Sequence, residues 1–544
     1  MLVYDGRQFV VSGDGLNRFS LVLEGWKLDK DSGSLYTDDA TLAEKLKSHI
    51  SDSVTQSALD VKLSERDIKL RLSSCAELPV TAAIDLKAPK GLEYLGYQRA
   101  GILYALGNEH TLIADEMGLG KTIQGIGVIN NTPNVNNVLI LCPASLKLNW
   151  RRELEKWLIR WYDIFVVQPN TRRIPEYAEI IIINYDLLNK HAGALKSREY
   201  DILILDESHY VKNYSAKRTQ IVIGTSKIPP QPGIRAKKKI ALSGTPVLNK
   251  PEEIWPLWYY FYPDTAPSKA RFDDRYCGVK LGRYKTIPKN LEELQHKLRS
   301  RFMVRRLKKD VLKQLPSKVR QIIDVEDSGA KSAEAAALKQ VRDNFEERAK
   351  SMQSSAKLLV FAELAEIRHA TALRKVPAAV QHVADIVEAG NKIVVFGYHR
   401  DVIEGVVEGL KKRKIRSVTL TGSTKQADRQ KAVDDFQNDP KCMVFVGNIK
   451  AAGVGLTLTS ASNVLFVELD WVPGNLNQAE DRCHRLGQTD TVLAQYLVID
   501  GTIDARMAEA IIQKQKIVEK TIDSLANQGH NSLIDDTIDP LTLF

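Results

Sequence analysis

The chain has 544 residues, 44% hydrophobic and 26% charged, enough for more than one core and suggestive of three or four domains. Its 32 glycines and 20 prolines are too few for a fibrous or disordered chain. Five scattered cysteines (Cys75, Cys142, Cys277, Cys442, Cys483) with no CxxC pair exclude a disulfide framework or zinc ribbon and fit a reducing cytoplasm. The net charge of +10 permits a polyanionic partner without requiring one.

In chain order, residues 1–85 read as a small α+β module. Its parts are Ser20–Trp26, a turn at Asp31–Gly33, Ser34–Tyr36, and a helix capped near Asp38 or Asp39 that runs through Ala43–Ile50. The opening MLVYDGRQFVVSGDG lacks a basic stretch ahead of an apolar one, so no signal peptide is expected. After a linker at Lys87–Gly91 come strand-length apolar runs at Thr111–Ala114, Val138–Cys142, Ile180–Ile183, Ile202–Leu205 and Lys239–Leu242. A second set follows at Lys392–Phe396, Ser417–Leu420, Cys442–Val446, Asn463–Val467 and Val492–Val498. Continuous apolar strands suit parallel sheets covered on both faces, so the fold class is α/β with two lobes, over 86–325 and 326–525, and a polar tail over 526–544. No run approaches the ~20 residues of a membrane span.

Between the lobes, residues 296–320 carry ten lysines and arginines against one acid, Asp310. Met303, Leu307, Val311 and Leu315 recur at helical spacing, which predicts one helix with a buried face and a charged one. The charged face reads either as solvated or as having a phosphate-facing or interlobe role, and Arg305 and Arg306 are the candidate DNA contacts.

The strongest chemical signal follows Thr111–Ala114: Asp115-Glu-Met-Gly118-Leu-Gly120-Lys121-Thr122, then an apolar helical run. A strand, a glycine-containing loop and a helix start form a phosphate cradle. The lysine reaches the β/γ-phosphates and the threonine hydroxyl holds Mg²⁺. A second strand, Ile202–Leu205, runs into Asp206-Glu207-Ser208-His209, where Asp206 would hold the metal and Glu207 would orient and deprotonate water. Leu242-Ser243-Gly244-Thr245-Pro246 follows a third strand. Late in the chain, Gln478-Ala-Glu-Asp-Arg482-Cys-His-Arg485 places two arginines three apart, on one face of a predicted helix. Alone, that spacing is also what a solvated helix carries.

Together these stretches resemble the Swi/Snf family of helicase-like ATPases in superfamily two, over roughly residues 92–520. The motif order matches: Tyr97-Gln98, the cradle, Pro143-Ala-Ser145, the Asp-Glu-x-His box, Ser243-Gly-Thr245, Met303–Pro316, Gly453-Val-Gly455-Leu456-Thr457, and the arginine segment. Asp206-Glu-Ser-His209 and Glu468-Leu-Asp-Trp471 with Gln478-Ala-Glu-Asp look most like the annealing-helicase, fork-remodelling branch. The resemblance implies two RecA-like lobes closing on ATP and Mg²⁺, with double-stranded or branched DNA across both. By matching position, Gln98 would contact adenine, and Asp115, Gly118, Gly120, Lys121 and Thr122 would line the nucleotide loop. Gly455 and Gln478 would approach the nucleotide from the second lobe, Arg482 and Arg485 would be arginine fingers, and Ser243 and Thr245 would couple nucleotide state to movement. Pro143, Ser145, Asn184, Tyr185, Gly422, Ser423, Thr424, Gly453 and Thr457 would track DNA. Asp115 stands where a first P-loop glycine is usual elsewhere, Ala452 where a second glycine is common, and Val472 where asparagine is common.

The expected activity is a DNA-dependent ATPase that translocates on duplex DNA and remodels or reanneals branched DNA. A strand-separating DNA or RNA helicase, a polymerase-displacing motor, and a DNA-binding scaffold with a vestigial ATP site are the alternatives. No membrane association is expected. The expected location is the cytoplasm, nucleoid-associated or, for a viral chain, in the host. Residues 1–85 are expected either to recognise branched DNA or to serve as a packing domain.

Overall fold

The structure is a computed structural model. It describes residues 1–11, 21, 26–29, 32, 34–75, 85–225, 231–244, 246, 251–281, 285–287, 289–312, 314–350, 356–452, 456–471 and 473–512. Thr245, Gly453, Gly455, Val472, most of the Asp31–Gly33 turn and of Ser20–Trp26, and the polar tail therefore lie outside the described residues. The chain forms two compact units. One holds Met1–Asp115, Lys121–Cys142 and Glu153–Leu307; the other holds Glu116–Gly120, Pro143–Arg152 and the described part of Lys308–Phe544.

The first unit begins with β1 (Leu2–Tyr4), β2 (Phe9–Val11), β3 (Lys27–Leu28) and β4 (Leu35–Thr37), antiparallel in the order β1-β2-β4-β3. Leu2, Phe9, Val11, Trp26 and Leu35 bury one face of this small sheet. Asp39 caps the next helix by accepting from the Thr41 N–H (2.9 Å), so that helix spans Ala40–Glu44 and breaks into a 3₁₀ turn at Lys47–His49. The expected continuous helix to Ile50 is thus corrected. A 22-residue helix, Ser53–Ser74, follows, with the Asp52 carboxylate accepting from the Thr55 N–H (2.6 Å). It packs on the helices Gly96–Leu106 and Leu291–Arg301, and Arg301 pairs with Asp38 (3.2 Å) and Asp39 (3.6 Å). The N-terminal segment is therefore built into the first unit.

The main sheet of this unit comprises β5 (His110–Ile113), β6 (Val138–Cys142), β7 (Ile164–Val166), β8 (Ile180–Asn184) and β9 (Glu199–Asp206). A short hairpin of β10 (Gly224–Thr225) and β11 (Gln231–Pro232) precedes its next strand, β12 (Arg235–Leu242). A second hairpin, β13 (Val279–Leu281) with β14 (Lys285–Ile287), precedes β15 (Met303–Val304). The seven strands are parallel in the order β15-β5-β12-β9-β6-β8-β7, and the runs Val138–Cys142 and Ile180–Ile183 are buried throughout, as coverage on both faces demands.

The second unit carries β16 (Lys318–Asp324), β17 (Ile393–Gly397), β18 (Ser417–Leu420), β19 (Val444–Asn448), β20 (Asn463–Phe466) and β21 (Val492–Val498). They are parallel in the order β16-β21-β20-β17-β19-β18. Val394, Phe396, Phe445, Phe466 and Tyr496 fill one face; Ile393, Val395, Val444, Val446 and Leu465 fill the other.

Two expectations change here. The lobe boundary drawn after residue 325 falls earlier, because Lys318–Asp324 is an edge strand of the second sheet. The stretch 296–320 is not one helix: it is the end of helix Leu291–Arg301, strand β15, a short helix Lys308–Val311, and the start of β16. Met303 and Val304 are claimed by the open edge of β5, whose Leu112 and neighbouring Ala114 N–H groups donate to Phe302 and Val304 carbonyls (both 2.7 Å). Helical spacing of apolar residues lost to an unpaired sheet edge. Among the described residues no helix is long and apolar enough to cross a membrane.

Candidate active site

In a parallel sheet, the carboxyl ends of the strands form the ligand-facing edge. At that edge of the first unit β5, β12 and β9 lie side by side, with Leu242 opposite both Ile113 and Asp206. The loop after β5 holds Gly118 at φ 85° and Gly120 at φ 71°, left-handed conformations that cost glycine little, and then enters the 11-residue helix Lys121–Asn131. Left-handed glycines ahead of a helix N-terminus are the backbone of an anion cradle. Within the second unit, a Cβ on Gly118 would stand 3.0 Å from Arg485 Cβ and 3.3 Å from Lys308 Cε, so space as well as conformation selects glycine.

Lys121 Nζ donates to the Asp115 carbonyl (2.8 Å). Burial lowers its ammonium pKa, opposed by the carboxylates of Glu207, Asp115 and Asp206. Thr122 follows it, half-buried, in the first turn of the helix. Asp206 ends β9 buried, its Oδ1 accepting from the Glu207 N–H (3.0 Å). Glu207 itself sits at φ 49°, ψ 55°, a left-handed conformation that a non-glycine residue holds only under constraint and that concentrates at functional sites. Its Oε2 lies 3.3 Å from His209 Nδ1. The Ser243 N–H donates to the Ile113 carbonyl (3.2 Å), tying the third motif to the first. Gln98 is buried, its Oε1 accepting from the Leu95 N–H (3.0 Å) at the start of helix Gly96–Leu106.

Several expected contacts are redirected. The Asp115 carboxylate is buried, held by Arg306 and by Gln124 Nε2 (2.8 Å). Arg306, expected on DNA, is 1% exposed and ion-paired to Asp115 (3.1 Å). Arg305 points its Nη1 at the carbonyls of Ala114 (2.8 Å) and Gly244 (3.1 Å). Tyr185, expected to track DNA, is 2% exposed; it donates to the Asp206 carbonyl (2.8 Å) and stacks on Tyr210. Asn184 beside it is also buried, donating to Asp186 (3.1 Å). These residues shape the site from behind.

Pro143 is buried and opens a 3₁₀ turn, Ala144–Leu146, in which Ser145 is half-buried. Gly422 and Ser423 are exposed in a turn closed by the Thr421 N–H on Thr424 Oγ1 (2.9 Å). The expected arginine helix ends at Glu480, so Arg482 and Arg485 stand in the turns that follow, with Gln478 half-buried on the helix. Both arginines reach the Leu456 carbonyl, Arg485 at 2.9 Å and Arg482 at 3.5 Å, and Arg485 also donates to Thr457 Oγ1 (2.8 Å).

A model of the SNF2-related domain matches residues 97–369, half of the chain, and one of the helicase conserved C-terminal domain matches 375–487. The chain belongs to the SNF2-related family. It is 34% identical over 449 residues to the human protein named DNA annealing helicase and endonuclease ZRANB3, spanning 79% of this chain and 40% of that one. It is 34% identical over 463 residues to the Xenopus tropicalis SWI/SNF-related matrix-associated actin-dependent regulator of chromatin subfamily A-like protein 1, spanning 83% and 47%. The chain thus covers less than half the length of these two relatives. A solved Sulfolobus solfataricus SWI2/SNF2 ATPase core in complex with dsDNA is 24% identical, with a TM-score of 0.40, covering 81% of this chain and 96% of that one.

In this SNF2-related chain the basic stretch acts as a fastener. Lys308 is 3% exposed and pairs with Asp481 (2.9 Å); Lys318 pairs with Glu480 (2.8 Å) and Asp481 (3.0 Å); Arg320 pairs with Glu480 (2.8 Å), which also accepts from the Tyr496 hydroxyl (2.6 Å). Glu480 and Asp481 directly precede Arg482, so this network fixes the turn that presents the arginines. The sequence carries a signal for it, an acidic pair beside the arginines in a chain with a basic surplus.

These groups set an acid limit on stability. Burial pushes His110 down to about 3, aided by Lys239, and His484 down to about 4, aided by Lys308. For Glu480, Lys318 and Arg320 outweigh burial and hold it at about 2. In each case the unfolded chain binds its proton at higher pH, so stability rises with pH and falls as acid is added. Thermal melts should show stability declining from about pH 6.5 as histidines protonate on unfolding, then steeply from about 4.5 to about 2. Glu480 alone contributes on the order of 3 kcal/mol. A melting temperature flat from pH 6 to pH 3 would contradict the network.

Proposed function

We propose that this chain is a DNA-dependent ATPase that moves on duplex DNA and remodels or reanneals branched DNA. The observation that carries the reading is the convergence of Lys121 with the carboxylates of Asp206 and Glu207 at the carboxyl edge of the first unit's sheet. The donor set fits MgATP: a helix N-terminus and an ammonium for phosphates, a hydroxyl (Thr122) and a carboxylate (Asp206) for a divalent cation. Bound there, MgATP supplies the phosphoanhydride whose cleavage drives movement. Asp206 holds position through the end of β9, Glu207 accepts a proton from water, and Gln98 recognises adenine. Arg482 and Arg485 stabilise charge that develops on the transferred phosphoryl group.

DNA handling is assigned to Pro143–Ser145, Gly422–Thr424 and Thr457, where backbone amides and hydroxyls meet phosphates without reading bases. Gly453, Gly455 and Thr245 join the proposal on their motifs. The two relatives support a DNA substrate, one being named an annealing helicase and the other a chromatin regulator. The place of action is wherever the cell or host keeps its DNA, the cytoplasmic nucleoid in a bacterium.

The test is ATP turnover with plain duplex, forks, Holliday junctions, bubbles and single strands, alongside strand annealing and displacement. Duplex and branched DNA should raise turnover at least tenfold, with annealing and no net unwinding. Turnover that is the same without DNA would end the translocase reading, and displacement of a tailed strand would favour the strand-separating helicase.

A further inference from the structure

Arg306 carries a role that neither the family match nor the motif reading assigns. It follows β15, and its backbone N–H and Nε both donate to Asp115 Oδ1 (3.0 and 3.1 Å), while Nη1 donates to the Tyr97 carbonyl. Gln124 Nε2, one turn into the helix after the cradle, takes the other carboxylate oxygen (2.8 Å), and the Asp115 carbonyl receives Lys121 Nζ (2.8 Å). Asp115 is thus a hub. One end of it fixes the lysine, and the other is fixed by a buried guanidinium that also grips the segment carrying Gln98.

The strand that delivers Arg306 is itself held from the N-terminal segment. The Arg305 N–H donates to the carbonyl of Ser73 (3.0 Å), in the last turn of helix Ser53–Ser74. Gly101, in helix Gly96–Leu106, leaves room for the assembly: a Cβ there would fall 2.0 Å from Gln124 Oε1 and 2.6 Å from Arg306 Nη2.

We propose that Arg306 is a positioning residue that holds the phosphate loop and the adenine-side helix in register, with the N-terminal helix bracing the strand that bears it. This rests on the nucleotide-site reading above. A buried carboxylate deprived of its partner re-orients or takes up water, and the Asp115 backbone that locates Lys121 moves with it.

Two substitutions in the full chain test this. Arg306→Lys keeps the charge but cannot reach Asp115 and Tyr97 together. Gly101→Ala keeps every charged group, favours its helix, and crowds Arg306 and Gln124. Kd for a fluorescent ATP analogue, kcat and KM for ATP, Kd for duplex DNA without nucleotide, and thermal transitions are measured for both variants and the wild type.

We expect kcat/KM to fall by roughly 10²-fold, most of it in KM, as for a site displaced by about an ångström. Duplex affinity and its salt dependence should stay within twofold of wild type. Unchanged kcat/KM in either folded variant overturns the proposal. So does a loss of duplex affinity equal to the loss of nucleotide affinity, which would return Arg306 to a DNA-contact role. A wild-type chain that binds no ATP analogue would overturn the nucleotide-site reading itself.

Discussion

Glu207→Gln should bind nucleotide about as tightly as the wild type and turn over roughly 10²–10⁴ times more slowly. The amide keeps the size of the carboxylate but cannot take a proton from water. Binding is spared because Lys121, Thr122, Asp206 and the left-handed glycines are untouched. The left-handed backbone at φ 49° is the reason to choose glutamine over alanine: the side chain stays in reach of His209 and the local conformation is least disturbed. Single-turnover hydrolysis and equilibrium binding of a fluorescent ATP analogue separate the two effects. Unchanged turnover would remove Glu207 from its role and return the scaffold alternative to consideration.

The second large effect belongs to the arginine turn. Replacing Arg485 by alanine should lower DNA-stimulated turnover by about 10³-fold or more, near 4 kcal/mol of lost transition-state stabilisation, with little change in KM. Arg485→Lys should recover only part of it, because a point charge replaces a planar fork. Arg485 is the cleaner probe of the two, being half-exposed, whereas Arg482 is buried and its loss also costs packing. A rise in KM at constant kcat would assign Arg485 to ground-state binding instead.

The apolar runs located every strand of both main sheets except β7, β15 and β16, because a strand buried on both faces writes itself as uninterrupted isoleucine, leucine and valine. Those three are short or half-buried edges: β15 has two residues, and β16 mixes Lys318, Arg320, Gln321 and Asp324 with Val319, Ile322 and Ile323. The residues proposed for the nucleotide site stand out in the sequence because phosphate chemistry fixes residue type and spacing together. The buried pairings of the basic segment are not legible in the sequence, for a physical reason. A lysine facing solvent and one facing a buried Asp481 are identical in sequence, and only the fold brings residue 308 beside 481. The same holds for the burial of Tyr185, since a tyrosine after a strand suits a groove or a core equally well. Helix Ser53–Ser74 leaves little mark in the sequence because few of its side chains are buried and its apolar residues trace no single stripe.

That helix has a practical consequence. It packs along helix Leu291–Arg301, and its last turn meets the backbone of Arg305. A shortened version starting at residue 86 would strip these contacts from helix Leu291–Arg301 and the Arg305 backbone, and sticky, poorly behaved protein is the outcome to plan for.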